Sequence, residues 1–461
     1  MKNLQTQQVR TLKEGLQGPV ILPDDYAYEA ARKVWNAMID KHPAAIVCCT
    51  TTADVVHAVN FARDQGLPLA VRGGGHNIAG SALCNDGIVI DLSEMRAAQV
   101  DADARRITIE GGATLADFDA ATQVHGLATP LGINSTTGVA GLTLGGGFGW
   151  LSRKYGMTID NLESAEVVTA AGEVLHASAT EHPDLFWALR GGSGNFGVVT
   201  RFEFRLHPLG PDLLAGLIVF PIAEAKRVLQ QYREFMDKAP DELSVWVVLR
   251  KAPPLPFLPE SIHGKEVVVL ALLYAGDPVQ GKALVEPLYR FGTPAGSHVD
   301  VMPYAAWQKA FDPLLTPGAR NYWKSHNFSE LKDGLFDTVI DYIASLPSSQ
   351  CEIFFGAIGG ATTEPAPDAT AYAHRDARFV MNVHGRWDDS ADDAHGMGWA
   401  RDFFKASAPY ASGGVYVNFL TDDESDRVKA AYGQNYERLA QIKRQYDPAN
   451  LFSTNQNIRP A

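Results

Sequence analysis

Val71-Arg72-Gly73-Gly74-Gly75-His76-Asn77-Ile78-Ala79-Gly80-Ser81 is the stretch whose reading decides the fold. The apolar run before it, Leu67-Pro68-Leu69-Ala70-Val71, reads as a buried strand. Three glycines then allow a loop whose backbone takes positive φ and comes close to a ligand, with His76 at its tip. Alone, such a turn is equally well a tight loop with an exposed imidazole. A second cluster, Gly138-Val139-Ala140-Gly141-Leu142-Thr143-Leu144-Gly145-Gly146-Gly147-Phe148-Gly149-Trp150, changes the balance. Runs of backbone N–H groups without side chains form nests for phosphate oxygens, so two such loops in one domain predict a diphosphate cofactor held between them.

A chain of 461 residues exceeds what one core serves, so two domains are expected, and an apolar fraction of 46% fills both. Lys and Arg number 40 against 53 Asp and Glu, a formal charge of −13 that disfavours nucleic acid or an anionic membrane as partner. Cys48, Cys49, Cys84 and Cys351 fit neither a zinc spacing nor a disulfide framework, so buried thiols and no metal are expected. The opening MKNLQTQQVRTLKEGLQG lacks the apolar core of a signal peptide, and no run of about eighteen apolar residues appears. A cytoplasmic protein with no membrane contact is the expectation.

Residues 19–36 read as a short strand and a helix, and Ala45–Cys49 as a strand. Thr51-Thr52-Ala53-Asp54 is a capping signal for a helix over Val55–Gln65. Strand Leu67–Val71 then completes a βαβ unit. Ile88–Leu92 and Arg106–Glu110 are further strands, and Thr114-Leu115-Ala116-Asp117 opens a helix by the same capping logic. A hairpin is expected around Ala171-Gly172, a helix over Glu181–Leu189 and a strand over Val198–Leu206. The fold class is α+β. A G-x-G-x-x-G turn between strand and helix is missing, so a doubly wound NAD domain is disfavoured. His207-Pro208-Leu209-Gly210-Pro211 marks a domain boundary, giving a first domain over 1–211. From 212 to 411, strand-like runs at Gly216–Phe220, Ser244–Arg250, Glu266–Tyr274, Ser325–Phe328, Glu352–Ile358 and Phe379–Trp387 alternate with helices such as Ala223–Lys238, Gln280–Phe291 and Thr338–Ser345. That pattern predicts an antiparallel sheet with helices on one side. Residues 412–461 carry two helices, Asp423–Tyr432 and Gln434–Tyr446, the second ended by Asp447-Pro448.

RGGGHN at 72–77, TTGVAGLTLGGGFGWLSRKYGMTIDN at 136–161 and the closing NYERLAQIKRQYDPANLFSTNQNIRP resemble the berberine-bridge-enzyme-like FAD-linked oxidoreductases of the vanillyl-alcohol-oxidase superfamily, in their bacterial single-histidyl branch. The resemblance covers nearly the whole chain and is strongest at its two ends. It implies a PCMH-type FAD domain, an antiparallel substrate-binding layer, and a tail over 412–461 that returns to complete the FAD domain. It also implies FAD bound covalently through His76 at the flavin 8α-methyl. By motif, the cofactor would be held by Arg72, Gly73, Gly74, Gly75, His76 and Asn77, with Gly80 and Ser81, and by Gly132, Ser135, Thr136, Thr137, Gly138, Gly141 and Leu142. Gly146, Trp150 and Asp160 would close around it, and Val198 would touch the adenine side. Tyr416 and Asn418 would approach the isoalloxazine, and Asn455 would hold the pocket shut.

Two departures from the family pattern matter. Members with a second, cysteinyl link carry cysteine where Gly132-Ile133-Asn134-Ser135-Thr136-Thr137-Gly138 has Asn134, so a single covalent bond is expected. Many members carry Tyr-x-Asn-Tyr, its second tyrosine acting as base; here the motif is Tyr416-Val417-Asn418-Phe419, and phenylalanine accepts no proton. Tyr416 and Glu352 are the leading catalytic candidates, followed by Tyr322, Lys324, His326, His384 and Arg386, for each of which a structural role competes. Strand alternation puts Lys324 and His326 on one face. Trp246, Trp307 and Trp323 are candidates to line an apolar pocket.

Thr137 stands at a position that gates oxygen in this family, and threonine there is compatible with reaction with O2. The expected activity is hydride transfer from a small alcohol or amine to FAD and then to O2, giving hydrogen peroxide. Two alternatives are an oxygenase working through a flavin N5-oxide on an aromatic or polyketide-like substrate, suggested by Thr137 with Leu142, and a dehydrogenase with another acceptor.

Overall fold

The computed structural model describes residues 4–461. Its first half builds two sheets. In the four-stranded sheet, Val20–Ile21 pairs antiparallel with Ala45–Cys48, which runs parallel to Ile88–Asp91, which runs parallel to Leu69–Arg72. The helix Thr52–Asp64 connects Ala45–Cys48 to Leu69–Arg72, but Ile88–Asp91 lies between these two strands, so the βαβ unit predicted from sequence is split by a third strand. Thr51 and Asp54 close a reciprocal cap at the start of that helix, as Thr114 and Asp117 do for Leu115–Gln123. The strand after the helix Thr52–Asp64 begins at Leu69 and not Leu67, since Pro68 has no N–H to give to a ladder; its carbonyl accepts from Ile88 at 2.8 Å.

The second sheet has five antiparallel strands in the order Ala98–Asp101, Arg106–Glu110, Val198–Arg205, Leu162–Val168, Val174–Ser178. Phe202 and Phe204 turn inward from it, as their alternation predicts, onto a core that includes Phe118 and Phe186.

Residues 212–387 form a seven-stranded antiparallel sheet ordered Gly296–Pro303, Asp212–Pro221, Glu266–Tyr274, Leu243–Lys251, Glu352–Ala357, Phe379–Trp387, Arg320–Phe328. The helices Ala225–Met236, Asp333–Ile343 and Asp393–Ser407 pack on one face. The edge strand Gly296–Pro303 escaped the sequence reading because GSHVDVMP offers only Val299 and Val301 in alternation, and no residue of it is buried. Asp393–Ser407 escaped it because two glycines interrupt the pattern. One of them, Gly396, is required by packing, since a Cβ there would lie 2.4 Å from the Trp387 ring.

The closing segment crosses back to the first half. Val415, Val417, Leu420, Leu439, Ile442 and Ile458 share a core with Phe186, Val199 and Phe202. Lys443, fully buried, fastens it by donating to Asn195 O at 2.7 Å, Phe452 O at 2.9 Å and Asp447 Oδ2 at 2.6 Å. The predicted helix over Asp423–Tyr432 starts instead as a 3-10 turn, Asp422–Arg427, and becomes α-helical only over Val428–Tyr432. Glu424 leaves helical geometry there to accept from the Thr421 N–H and hydroxyl. Among the described residues, no helix is long and apolar enough to cross a membrane and no cluster of metal-ligating side chains occurs. All four cysteines are free thiols.

Candidate functional site

The two glycine clusters meet. Strand Leu69–Arg72 delivers Gly73, Gly74 and Gly75 against the loop that leads into the helix Val139–Leu144. Gly74 and Gly138 touch through their backbones: a Cβ on the first would stand 2.3 Å from the nitrogen of the second, and the reverse substitution 2.4 Å. Only glycine permits that approach, and Gly75 turns the chain at φ +70°. The backbone N–H groups of Gly74, Gly75, His76 and Asn77 find no acceptor among the described residues, so the turn presents a row of unpaired donors.

Those residues line a cavity of ≈ 310 Å³ that runs between the first half, the tail and the seven-stranded sheet. Gly73, Gly74, Gly75, His76, Asn77, Ser81, Gly132, Thr137, Gly138, Gly141, Leu142, Val198, Asn418 and Asn455 form its walls, with Tyr416, Glu352 and His384 at the end near the sheet. Gly141 faces open space where a Cβ would stand. Asn455 donates to Gly194 O at 2.9 Å and so ties the tail to the wall. Unpaired donors, a glycine floor and an imidazole fit a long cofactor with a diphosphate in its middle.

His76 stacks on Trp35 with ring centroids 5.2 Å apart, and loss of water pushes its pKa down to about 4. Its tautomer is set by a chain of hydrogen bonds. The Thr136 backbone N–H can only donate, so the atom it meets at 3.0 Å is the Asn134 carbonyl oxygen. The same oxygen, at 2.6 Å, takes the Thr136 hydroxyl proton. Thr136 Oγ1 is then only an acceptor toward His76 Nε2 at 2.8 Å, so Nε2 carries the hydrogen. Nδ1 keeps its lone pair.

At the sheet end, Phe148, Trp246, Trp323, Phe354 and Phe419 make an aromatic box. Phe419 stands edge-on to both Trp323 and Tyr416, at 5.5 and 4.9 Å. Tyr416 Oη accepts from the Gly147 N–H and from Asn418 Nδ2, each at 3.0 Å. Burial raises its pKa to about 12, which makes it a hydrogen-bond donor and not a base.

Glu352 and His384 are cross-strand neighbours. Burial raises the Glu352 pKa, but the Arg250 guanidinium, donating at 2.7 Å, outweighs it and holds the carboxyl below its ordinary value. Burial lowers the His384 pKa against the pull of Glu352, leaving the imidazole neutral. Asn321 Nδ2 donates to Ala319 O, so its oxygen faces His384 Nε2 at 3.0 Å and that nitrogen bears the proton. His384 Nδ1 and Glu352 Oε1 therefore point lone pairs at each other across 3.6 Å. One proton fits between them.

Several predicted site residues lie off the cavity wall. Arg72 turns away to bond Asp91 at 2.5 Å and Ala31 O. Gly80 backs onto Ile39, and Gly146 sits behind the Tyr416 ring. Ser135 donates to Asp312 at 2.5 Å, and Thr136 acts on the site only through His76. Trp150 packs into the core against Trp246 and Trp307, and Asp160 pairs with Arg375 at 2.7 Å. Tyr322 donates to Asp423 at 2.6 Å, and Lys324 donates to Asp423 at 2.7 Å and Thr421 at 3.1 Å. The alternation that groups Lys324 with His326 and Tyr322 is present, but their face of the strand looks away from the cavity and only Trp323 looks in. Trp35, Ser193, Gly194 and Asn134 are wall residues that sequence reasoning missed as site residues. The run Arg190-Gly191-Gly192-Ser193-Gly194-Asn195 carried a signal for two of them; nothing local marked Trp35.

A family model described as an FAD binding domain matches residues 43–178, and one described as berberine and berberine like matches 415–459. An FAD-linked oxidoreductase of Dictyostelium discoideum is 33% identical over 460 residues, 99% of this chain and 97% of its own. The (R)-6-hydroxynicotine oxidase of Paenarthrobacter nicotinovorans is 32% identical over 462 residues, 96% of this chain and 97% of its own. The crystal structure of 6-hydroxy-D-nicotine oxidase from Arthrobacter nicotinovorans superposes with a TM-score of 0.87 at 29% identity, covering 97% of this chain and 98% of that one. With its fold, both matched segments and relatives aligned end to end, the chain belongs to the berberine-bridge-like FAD-linked oxidoreductases and is an FAD-binding enzyme.

Proposed function

We propose that this enzyme is an oxidase that takes hydride from a small alcohol or amine and gives the electrons to O2. The observation that carries the reading is the pair of facing lone pairs on His384 and Glu352. Bound FAD supplies the hydride acceptor, and O2 then removes the electron pair as hydrogen peroxide. The His384–Glu352 pair accepts the proton of a substrate hydroxyl or ammonium, becoming an imidazolium held between Asn321 Oδ1 and the carboxylate. This replaces the base that Phe419 cannot be. Tyr416 donates to an oxygen or nitrogen in the box, and the surrounding aromatic rings keep water from the reacting carbon.

His76 would hold FAD covalently, its Nδ1 attacking the 8α-methyl. With Asn134 in place of cysteine, the histidyl bond is the single link. Division of the chain into FAD-binding segments over 1–211 and 412–461 and a substrate segment over 212–411 agrees with the shared core of tail and first half.

Thr137 and Leu142 both line the cavity, and this supports one second reading, an oxygenase with oxygen carried on flavin N5. Intact mass of the air-purified, denatured chain separates the two. An increment of one FAD supports the oxidase, and one further oxygen on that increment supports the oxygenase. Absence of any adduct removes the covalent role of His76. Peroxide release on an alcohol and amine panel tests the oxidase directly, and slow reoxidation in air would overturn it in favour of a dehydrogenase.

A further inference from the structure

Beside the main cavity lies a smaller chamber of ≈ 60 Å³ on the same measure. Trp246, Phe354, Leu315, Ile133 and Glu352 line both spaces. Its floor is the sheet face opposite the helices. Register places Leu217, Ala271 and Trp246 in one row, Val219, Val269, Val248 and Phe354 in the next, and Val267, Arg250 and Glu352 at the rim. Its roof is two loops, carrying Leu255 and Leu258 on one and Phe311 and Leu314 on the other. Val219, Val267, Val269 and Leu258 form a small apolar cluster of their own, separate from the core under the helices.

Three features say what this chamber takes. Leu217, Val248, Leu255, Phe311, Leu314 and Phe354 are apolar yet remain half-exposed, a cost of about 25 cal/mol for each Å² left wet. Its only charges, Arg250 and Glu352, are spent on one another at 2.7 Å, so neither is free for an ionic ligand. Trp150 and Trp246 line it and are buried with indole N–H groups that have no acceptor among the described residues. We infer that the chamber is a specificity subsite for a short apolar end of the substrate, an alkyl group of a few carbons, with a hydrogen-bond acceptor elsewhere on the substrate for an indole N–H, while the oxidised carbon sits in the aromatic box. A carbohydrate, needing many polar partners, finds almost none here. The inference deepens the proposed function and rests on that reading of the box.

The volume is several times the ~10–15 Å³ one water requires, room for about four heavy atoms. Calorimetric titration of the enzyme as purified with benzamide and 4-n-alkylbenzamides, methyl to hexyl, reads this directly. These probes are neutral, carry a carbonyl acceptor and are not oxidised. The dissociation constant should fall about fourfold per methylene, as expected for a buried CH2, and level off near butyl. Val248→Phe fills the chamber from the floor and Leu255→Trp from the roof, on separate elements so that one misfolded variant leaves the other. Each should abolish the chain-length dependence while keeping benzamide itself within twofold. A flat series in the parent protein, no binding by any member, or an unchanged slope in either folded variant would overturn the inference. A chain that carries no flavin, yet shows the chain-length series, would remove the proposed oxidation and leave the subsite standing.

Discussion

Removing Asn134 should slow flavin attachment without loosening the cofactor. In the parent protein, Asn134 Oδ1 occupies the Thr136 hydroxyl proton at 2.6 Å, which forces His76 to carry its hydrogen on Nε2 and leaves Nδ1 nucleophilic. In Asn134→Ala the hydroxyl is free to turn and donate to Nε2, and the hydrogen of the imidazole then moves to Nδ1, where it blocks attack. The bias lost is that of one hydrogen bond, about 1 kcal/mol, or roughly a fivefold fall in the reactive tautomer. Thr136→Val removes the relay itself and should slow attachment by a similar factor, whereas Asn134→Asp retains an acceptor and should restore the rate to within about twofold. Neutral imidazole is required, and with its pKa pushed down to about 4 the attachment rate should stay flat from pH 8 to 5 and fall below about 4. The assay is the time course of covalent mass gain after FAD is added to apoprotein, with noncovalent FAD affinity measured in parallel on His76→Ala backgrounds. Attachment by Asn134→Ala at the parent rate, or failure of Asn134→Asp to recover where Asn134→Ala is slow, would refute the relay.

Three further outcomes are expected. Glu352→Gln should lower kcat by about a hundredfold, the scale of general-base loss, and move the acid limb of kcat/KM to lower pH. The sign follows because His384 works only when neutral and its carboxylate partner raises its pKa; an unmoved limb would exclude the pair as proton acceptor. Asp119, buried with one oxygen unpartnered, has its pKa pushed up to about 7 by desolvation. A folded-state value above the unfolded one means stability is lost as pH rises toward and through 7, by about 4 kcal/mol at the full shift. Asp119→Asn should therefore raise Tm by several degrees at pH 8 and leave it little changed at pH 4, as differential scanning calorimetry would show. Lys443→Met strands the buried Asp447 carboxylate and should cost about 3–5 kcal/mol in denaturant unfolding; loss of under about 1 kcal/mol would mean the tail is held by its apolar contacts alone.

What the sequence made legible were features whose cause is local. The caps at Thr51 and Thr114 are written in four residues each and appear where expected. The glycine clusters announce loops whose backbone can come close to a ligand; that Gly74 also meets Gly138 is seen only in the structure. What stayed hidden depends on partners far along the chain. Nothing near residue 88 says that Ile88–Asp91 will insert between two strands joined by a helix, because that choice is made by pairing across the sheet. The edge strand Gly296–Pro303 has one solvated flank, so no hydrophobic pattern was needed to form it.

The candidate base shows the same division more sharply. Period-two alternation puts Lys324 and His326 on one face, which Tyr322 shares, yet alternation gives two faces and does not say which one looks at the cavity. That is settled by the helix layer and the tail, whose Thr421 and Asp423 bind Lys324 and consume its charge. Glu352 and His384 share the cavity because Glu352–Ala357 and Phe379–Trp387 pair in a register that sets them opposite each other. Their chemistry, in turn, comes from Asn321 on a third strand, whose amide decides which imidazole nitrogen is left bare. A candidate proton site assembled from three strands, none carrying a motif, is visible only once the sheet is built. Phe419 at the tail is the sign in the sequence that either another group takes the proton or the reaction needs none from an alcohol.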